Sequence, residues 1–325
     1  MTPSDQKTTG TLESSQDHSD HELLADQDPP KTISTAKKTA NVTSDPSELE
    51  LIHQAGLFFW RAGSPRGQRK LLESADERKQ KLSVTSAEYL TVLRRVPTEW
   101  DELWNLVGSD KGDNFFRFPT QFDLLNALLA EKAVTASDRT LKVLSAGCGQ
   151  GYEPYSLALT LATSGLPAKG WNMSIKAFDL SNKLINRAKA GNFTLEDLRW
   201  LDPAVARRWF TLRAAGWHFR TELGPPLDFI KLNLADIDSN LKAEMQGTYD
   251  VIFCRGLSFD CPDHLVQSLA RTITSLLAPW GLLFTAPGEI WLEMNDLTTE
   301  VRDGVVYGRK NGPKGKYKAN VFHVP

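Results

Sequence analysis

The chain has 325 residues, 41% of them hydrophobic and 24% charged, with a formal net charge of −2 at pH 7. This composition supports globular domains whose core needs no disulfide or metal staple. The even charge balance excludes bulk polyanion binding, so no nucleic-acid partner is expected. No apolar run reaches the roughly 18 residues of a membrane span, so no membrane insertion is expected either.

Residues 1–47 are rich in Ser, Thr, Asp, Gln and Lys and nearly free of aromatics. Too little apolar surface is available there to offset ordering entropy, which predicts a disordered tail, either a solvated spacer or a docking peptide. The opening MTPSDQKTTG has no apolar leader stretch. Cys148, Cys254 and Cys261 fit neither a disulfide framework nor a zinc site, so free thiols in the cytoplasm are expected.

Residues 48–128 read as a small helical domain and linker. Leu49, Leu51, Ile52, Leu57, Phe58 and Trp60 recur at helical spacing, and Gly63, Ser64, Pro65 and Gly67 read as a break. Charged Arg69–Lys81, then Ser86–Arg94 up to Pro97, then Glu99–Val107 read as three further helices. Between Arg61 and Arg95 lie nine Lys/Arg against four Asp/Glu. That excess fits a solvated helix face or a contact surface for an acidic partner.

Residues 129–325 change pattern. Leu141–Ser145, Ile175–Phe178, Asp228–Leu232, Tyr249–Cys254 and Leu282–Thr285 read as buried strands, with helices between them such as Tyr155–Thr163 and Asn182–Ala190. This alternation predicts a Rossmann-like α/β fold with a mostly parallel sheet. Gly304–Gly308 and Ala319–Val324 flank a Gly/Pro loop and predict a C-terminal antiparallel hairpin.

Within that domain, VLSAGCGQGYEPYSLALTLA (143–162) runs from a strand through Gly147, Gly149 and Gly151 into a helix. Glycines let the backbone approach a ligand, and a helix N-terminus favours an anion. Such turns serve NAD, FAD and S-adenosylmethionine alike. Tyr152 follows Gly151 and no glycine stands at the third offset, which disfavours a nicotinamide oxidoreductase. Asp179, ending the second strand, suits ribose hydroxyls or a helix N-cap. Asn233 and Leu234 end the third strand. Arg255, in FCRG (253–256), ends the fourth, where it faces a ligand or pairs with a surface carboxylate. In NFFRF (114–118) the aromatics anchor a linker or aim Arg117 into a cleft. His218 and His264 read as structural or exposed.

The strings NFFR (114–117), GYEPYSLA (151–158), AFD (177–179), LNL (232–234) and FCR (253–255), with LLAPWGLLFTAP (276–287), resemble the chemotaxis receptor methyltransferases, the CheR family, over about residues 48–325. The resemblance implies a class I methyltransferase sheet that binds S-adenosylmethionine. It also implies methyl transfer to glutamates in an acidic helical region of a chemoreceptor-like protein. On matching positions, Gly147, Glu153, Asp179, Asn233, Leu234 and Arg255 would bind the cofactor. Arg117 would reach the reacting centre, and a small β-subdomain at about 210–228 would dock the substrate protein. Four positions depart from the family: Asp113 replaces Thr, Gly256 replaces Asn, Asp260 replaces Tyr, and Gly288-Glu289-Ile290 replaces Ser-Glu-Asn. An active methyltransferase and a degenerate module that only binds the cofactor both fit these departures.

Overall fold

The computed structural model describes residues 42–58, 64–107, 114–135, 138–234, 237, 239–259, 261, 263–289 and 296–312. Residues 1–41 of the expected tail, with Trp60, Gly63, Asp113, Asp260, Ile290 and the strand expected at Ala319–Val324, lie outside them.

Four helices come first: α1 (Pro46–Phe58), α2 (Pro65–Leu82), α3 (Ser86–Arg95) and α4 (Pro97–Val107). The break expected at Gly63, Ser64, Pro65 and Gly67 falls between α1 and α2, and α2 starts within it, at Pro65 rather than Arg69. The Ser64 hydroxyl accepts the Gly67 N–H at 3.0 Å, and Pro65 sits where a missing N–H costs nothing. A capping box of Thr85 and Glu88 starts α3. Leu51, Leu71, Tyr89, Leu93, Leu103 and Trp104 fill the interior of this bundle. Buried Glu99 accepts from Arg78 Nε at 2.8 Å, Arg78 Nη2 at 2.7 Å and the Tyr89 hydroxyl at 2.9 Å, the full pairing a buried carboxylate requires.

The α/β body follows with α5 (Pro119–Thr135), β1 (Thr140–Ala146), α6 (Tyr152–Thr163), β2 (Asn172–Asp179) and α7 (Asn182–Ala190). Next come β3 (Asn192–Phe193), α8 (Leu195–Leu198), α9 (Pro203–Trp209), β4 (Phe210–Arg213), β5 (Gly216–Phe219) and β6 (Leu227–Lys231). The remainder is α10 (Ser239–Met245), β7 (Tyr249–Cys254), α11 (Asp263–Leu276), β8 (Leu277–Phe284), β9 (Leu297–Arg302) and β10 (Val305–Lys310). The seven-stranded sheet has the order β6-β2-β1-β7-β8-β10-β9. Its first five strands pair in parallel, and β10 runs antiparallel to both β8 and β9. The chain order reverses at β1, which places a ligand crevice beyond the C-terminal ends of β1, β2 and β7.

β10 pairs antiparallel with β9 across Asp303-Gly304, a hairpin the sequence reading did not place; the partner expected at Ala319–Val324 lies outside the described residues. Two sequence expectations shift. The boundary expected between residues 128 and 129 falls inside α5. Leu124, Leu125, Leu128 and Leu129 of that helix are buried in the same core as Val143, Ile175 and Phe253. The small antiparallel sheet, β3-β5-β4, opens at Asn192 rather than near 210, and Leu227 and Asp228 belong to β6 of the large sheet.

The helical bundle is tied to the rim of the crevice. Leu180, just after β2, is buried in the bundle's core. The Ser181 hydroxyl donates to Asn105 Oδ1 at 2.5 Å, and Lys231 Nζ lies 2.6 Å from both Asp101 oxygens. No described helix is long and apolar enough to cross a membrane.

Candidate cofactor site

The glycine turn after β1 grips the end of β2. Gly147, Gly149 and Gly151 have φ of +76°, +54° and +101°, the left-handed region that glycine enters freely. The Gly147 and Cys148 N–H groups donate to the Phe178 carbonyl at 2.8 and 2.9 Å. The Gly149 N–H donates to Asp179 Oδ2 at 3.0 Å, and Ser181 N–H donates to Oδ1 at 2.9 Å. The turn and Asp179 therefore converge, as the sequence suggests. The anion reading changes, however, because these amides are engaged inside the fold. Asp179 is not the N-cap of α7; that place belongs to Ser181, whose hydroxyl accepts the Leu184 N–H at 3.1 Å.

A Cβ at Gly147 would lie 2.7 Å from Leu257 Cδ2, so the turn and the loop after β7 pack at glycine distance. Gly147→Ala is expected to cost about 1–2 kcal/mol from φ alone, before the clash. A thermal melt and a titration with S-adenosylhomocysteine check this, and both should fall together.

Arg117, Gly147, Glu153 and Arg255 line one cavity of about 30 Å³, with Asn114, Cys148 and Tyr152. That space holds roughly one water. Glu153, in the first turn of α6, accepts from the Ser145 hydroxyl at 2.6 Å and from Arg255 Nε at 2.6 Å. Arg255 thus does pair with a carboxylate, but one inside the site; the Arg255 side chain is 5% exposed and that of Glu153 14%. Its Nη1 also donates to the Arg117 carbonyl and to Gln121 Oε1, and its guanidinium lies 5.1–5.6 Å from the Phe118, Phe122 and Phe253 ring centres. Arg255 is therefore fixed on every side.

The NFFRF segment is a strained turn rather than a plain linker. Phe116 and Phe118 have φ of +52° and +59°, costly for bulky residues and typical of functional turns. Phe115 anchors it, packing edge-on to Tyr152 and Phe210 and tilted against Phe193. The Phe116 N–H donates to Ser156 Oγ at 2.9 Å. Arg117 is thereby held between two left-handed residues at the cavity wall.

The other expected positions lie elsewhere. Asn233 lines a separate hollow of about 580 Å³ with Trp100, Asp101, Leu180, Lys231 and Leu232. Leu234 is 2% exposed and packs in the core with Phe178 and Leu257, so its side chain lines neither hollow. Gln121 carried no signal in the sequence and Glu289 appeared only within the Gly288-Glu289-Ile290 run, yet both brace the site. Gln121 Nε2 donates to the Thr285 carbonyl at 2.7 Å while its oxygen accepts from Arg255. His218 is structural, its Nδ1 3.0 Å from Asn192 Oδ1 between paired strands. The three cysteines are free and buried, and burial pushes the Cys254 thiol up, with Glu289 and Glu153 adding to it. Among the described residues no cluster of His, Cys, Asp and Glu could hold a metal.

The donor set fits S-adenosylmethionine. Asp179 offers carboxylate oxygens at the ribose position of an open α/β sheet. Glu153 offers a carboxylate to a cation, and Arg117 a guanidinium to an anion, in one cavity.

Residues 112–303 match the family model described as CheR methyltransferase, SAM binding domain. The chain is 32% identical to a chemotaxis protein methyltransferase of Klebsiella aerogenes over 232 residues, 68% of this chain and 74% of that one. Its identity to the chemotaxis protein methyltransferase of Escherichia coli is 34% over 181 residues, 54% and 59% of the two chains. It is also 31% identical to the probable biofilm formation methyltransferase WspC of Pseudomonas aeruginosa over 178 residues, 54% of this chain and 40% of that one. With the sheet, the glycine turn and Asp179 in place, the chain belongs to the CheR methyltransferase family and is an S-adenosylmethionine-dependent methyltransferase.

Proposed function

We propose that this methyltransferase esterifies glutamate side chains in an acidic helical region of a chemoreceptor-like sensory protein, in the cytoplasm. The observation that carries the proposal is the single cavity where Arg117, Glu153, Arg255 and the Gly147 backbone meet. Asp179 takes the ribose hydroxyls. The hollow beside Asn233 takes the adenine, with Leu180 and Trp100 as its apolar walls. Glu153 accepts from the amino group of the methionine end, and Arg255 holds Glu153 in place.

When bound, the cofactor supplies an electrophilic methyl group on a sulfonium. The chain's own task is then positioning. A glutamate acceptor has a reference pKa of about 4.3 and is already ionised at neutral pH, so no general base is needed. Phe118, Phe122 and Phe253 pack around Arg255 behind the cavity, and the low dielectric there strengthens the ionic contacts that hold Glu153. Holding two reacting groups in line is a large rate term by itself. The basic residues Arg66, Arg69 and Lys81 are exposed on α2 and suit an acidic partner. The small sheet β3-β5-β4, with Leu212 65% exposed, supports the docking role that the family resemblance assigns to it.

The test is transfer from labelled S-adenosylmethionine to receptor-bearing membranes. Base-labile methyl esters are expected. Arg117→Ala should retain affinity for S-adenosylhomocysteine but lose about 100-fold in kcat/KM, on the scale set by misplacing a reacting group. Tight cofactor binding with no ester formed would contradict the proposal.

A further inference from the structure

Glu289 lies in the loop after β8 and is 7% exposed. Its Oε2 accepts the Gly256 N–H at 2.9 Å and the Ala286 N–H at 2.7 Å. Its Oε1 accepts the Ser258 N–H and hydroxyl, both at 2.8 Å. A carboxylate this deep is costly to bury, and it is held by bonds that an acceptor-only group makes best. These bonds join two separate loops, the one after β7 and the one after β8, at the C-terminal edge of the sheet where the ligand crevice lies.

The consequence falls on Arg255. Gly256 follows it directly and has a φ of +81°, so the backbone turns sharply just beyond the guanidinium-bearing residue. Glu289 fixes that turn by its bond to the Gly256 N–H. On the other side of the Arg255 backbone, β7 is locked into the sheet. Arg255 is thus held from behind by Glu289 and in front by Glu153. A displaced Gly256 would withdraw Nε from Glu153, and Glu153 would lose the partner that aims it.

We infer that Glu289 is a positioning residue for the methyl-transfer site, acting through Gly256 and Arg255 to orient Glu153. The inference rests on the reading that Glu153 and Arg255 serve the cofactor. It gives a defined task to Glu289, the middle residue that Gly288-Glu289-Ile290 keeps in common with the family's Ser-Glu-Asn run. Glu289→Gln would place an amide NH2 against N–H donors on one side of the clasp, whichever way it turns.

The experiment is a double-mutant cycle read as affinity for S-adenosylhomocysteine, which needs no methyl acceptor. Glu289→Gln is expected to weaken binding about tenfold in the wild-type background, equivalent to about 1.4 kcal/mol. In an Arg255→Lys background, whose guanidinium is already gone, the same substitution should weaken it less than about threefold, because coupled residues are not additive. Glu289→Asp, which keeps the charge, should recover part of the loss. If Glu289→Gln leaves affinity unchanged, or costs the same factor in both backgrounds, Glu289 is only structural. Should Glu289→Gln fail to fold, Ser258→Ala removes one bond of the clasp and must show the same dependence on Arg255. Failure of the glutamate-acceptor reading is separate; it would leave the cycle intact and abolish only ester formation.

Discussion

Asp179→Ala should weaken binding of S-adenosylhomocysteine by about 100-fold or more in calorimetry. The carboxylate has two tasks. It closes the glycine turn by accepting from Gly149, and in the proposed function it receives the ribose hydroxyls. Hydrogen bonds to a charged group contribute about 1.5–3 kcal/mol each, and tenfold in affinity is about 1.4 kcal/mol. Losing even the weaker pair exceeds two decades. Asp179→Asn is a sharper variant. One oxygen remains for Ser181 or for Gly149, but the amide then opposes an N–H on the other side. It should retain the fold and still lose about tenfold or more in affinity. Unchanged affinity in both variants would detach Asp179 from the nucleoside.

The second large effect is expected at the Arg255–Glu153 pair, and it is on stability as well as binding. The side chains are 5% and 14% exposed. Arg255→Ala leaves a largely buried carboxylate with Ser145 as its remaining named donor, and strips a donor from the Arg117 carbonyl and from Gln121. Removing one partner of a buried pair costs about 3–5 kcal/mol. For a chain of this size that is a fall in Tm of about 10 °C. Replacing both partners, as in Glu153→Met with Arg255→Met, removes the stranded charge and should recover most of the stability. It should not recover cofactor binding. Differential scanning calorimetry on the two variants beside the wild type, with and without S-adenosylhomocysteine, separates these outcomes. An Arg255→Ala protein that melts with the wild type would show that the pair carries no such load.

The parts of the molecule that could be read from the sequence are the local ones. The glycine turn, α6 and the end of β2 are fixed by short-range signals, glycines at positive φ followed by a helix that opens directly on Gly151. The Tyr249–Cys254 strand and the Asn182–Ala190 helix have the bounds the pattern predicts. What escaped depends on tertiary partners. The sequence shows that Val305–Lys310 is a strand but not which strand it meets, and the tight Asp303-Gly304 turn selects β9. α5 follows the helical domain in sequence yet packs in the sheet core, because Leu124, Leu125, Leu128 and Leu129 find their apolar partners there. The start of α2 was hidden because Gly and Pro near a cap resemble a break until the Ser64 bond is seen.

The same distinction governs the site. Asp179 and Glu153 stand in motifs, so their chemistry is visible in one dimension. Arg255 looked equally able to face solvent, and only the approach of Phe118, Phe122 and Phe253 buries it. Glu289 meets the site because sheet order β1-β7-β8 sets the loops after β7 and β8 side by side, while Gln121 comes from the first turn of α5. Leu234 adjoins Asn233 in the motif, but both lie past the end of β6, and there the chain turns Leu234 into the core with Phe178 and Leu257.

The most direct measurement is a crystal structure of the protein with S-adenosylhomocysteine. The ribose hydroxyls should lie within hydrogen-bond distance of Asp179, the amino group of the methionine end against Glu153, and the adenine beside Asn233. A nucleoside bound anywhere other than across the glycine turn and the end of β2 would contradict this account at its root.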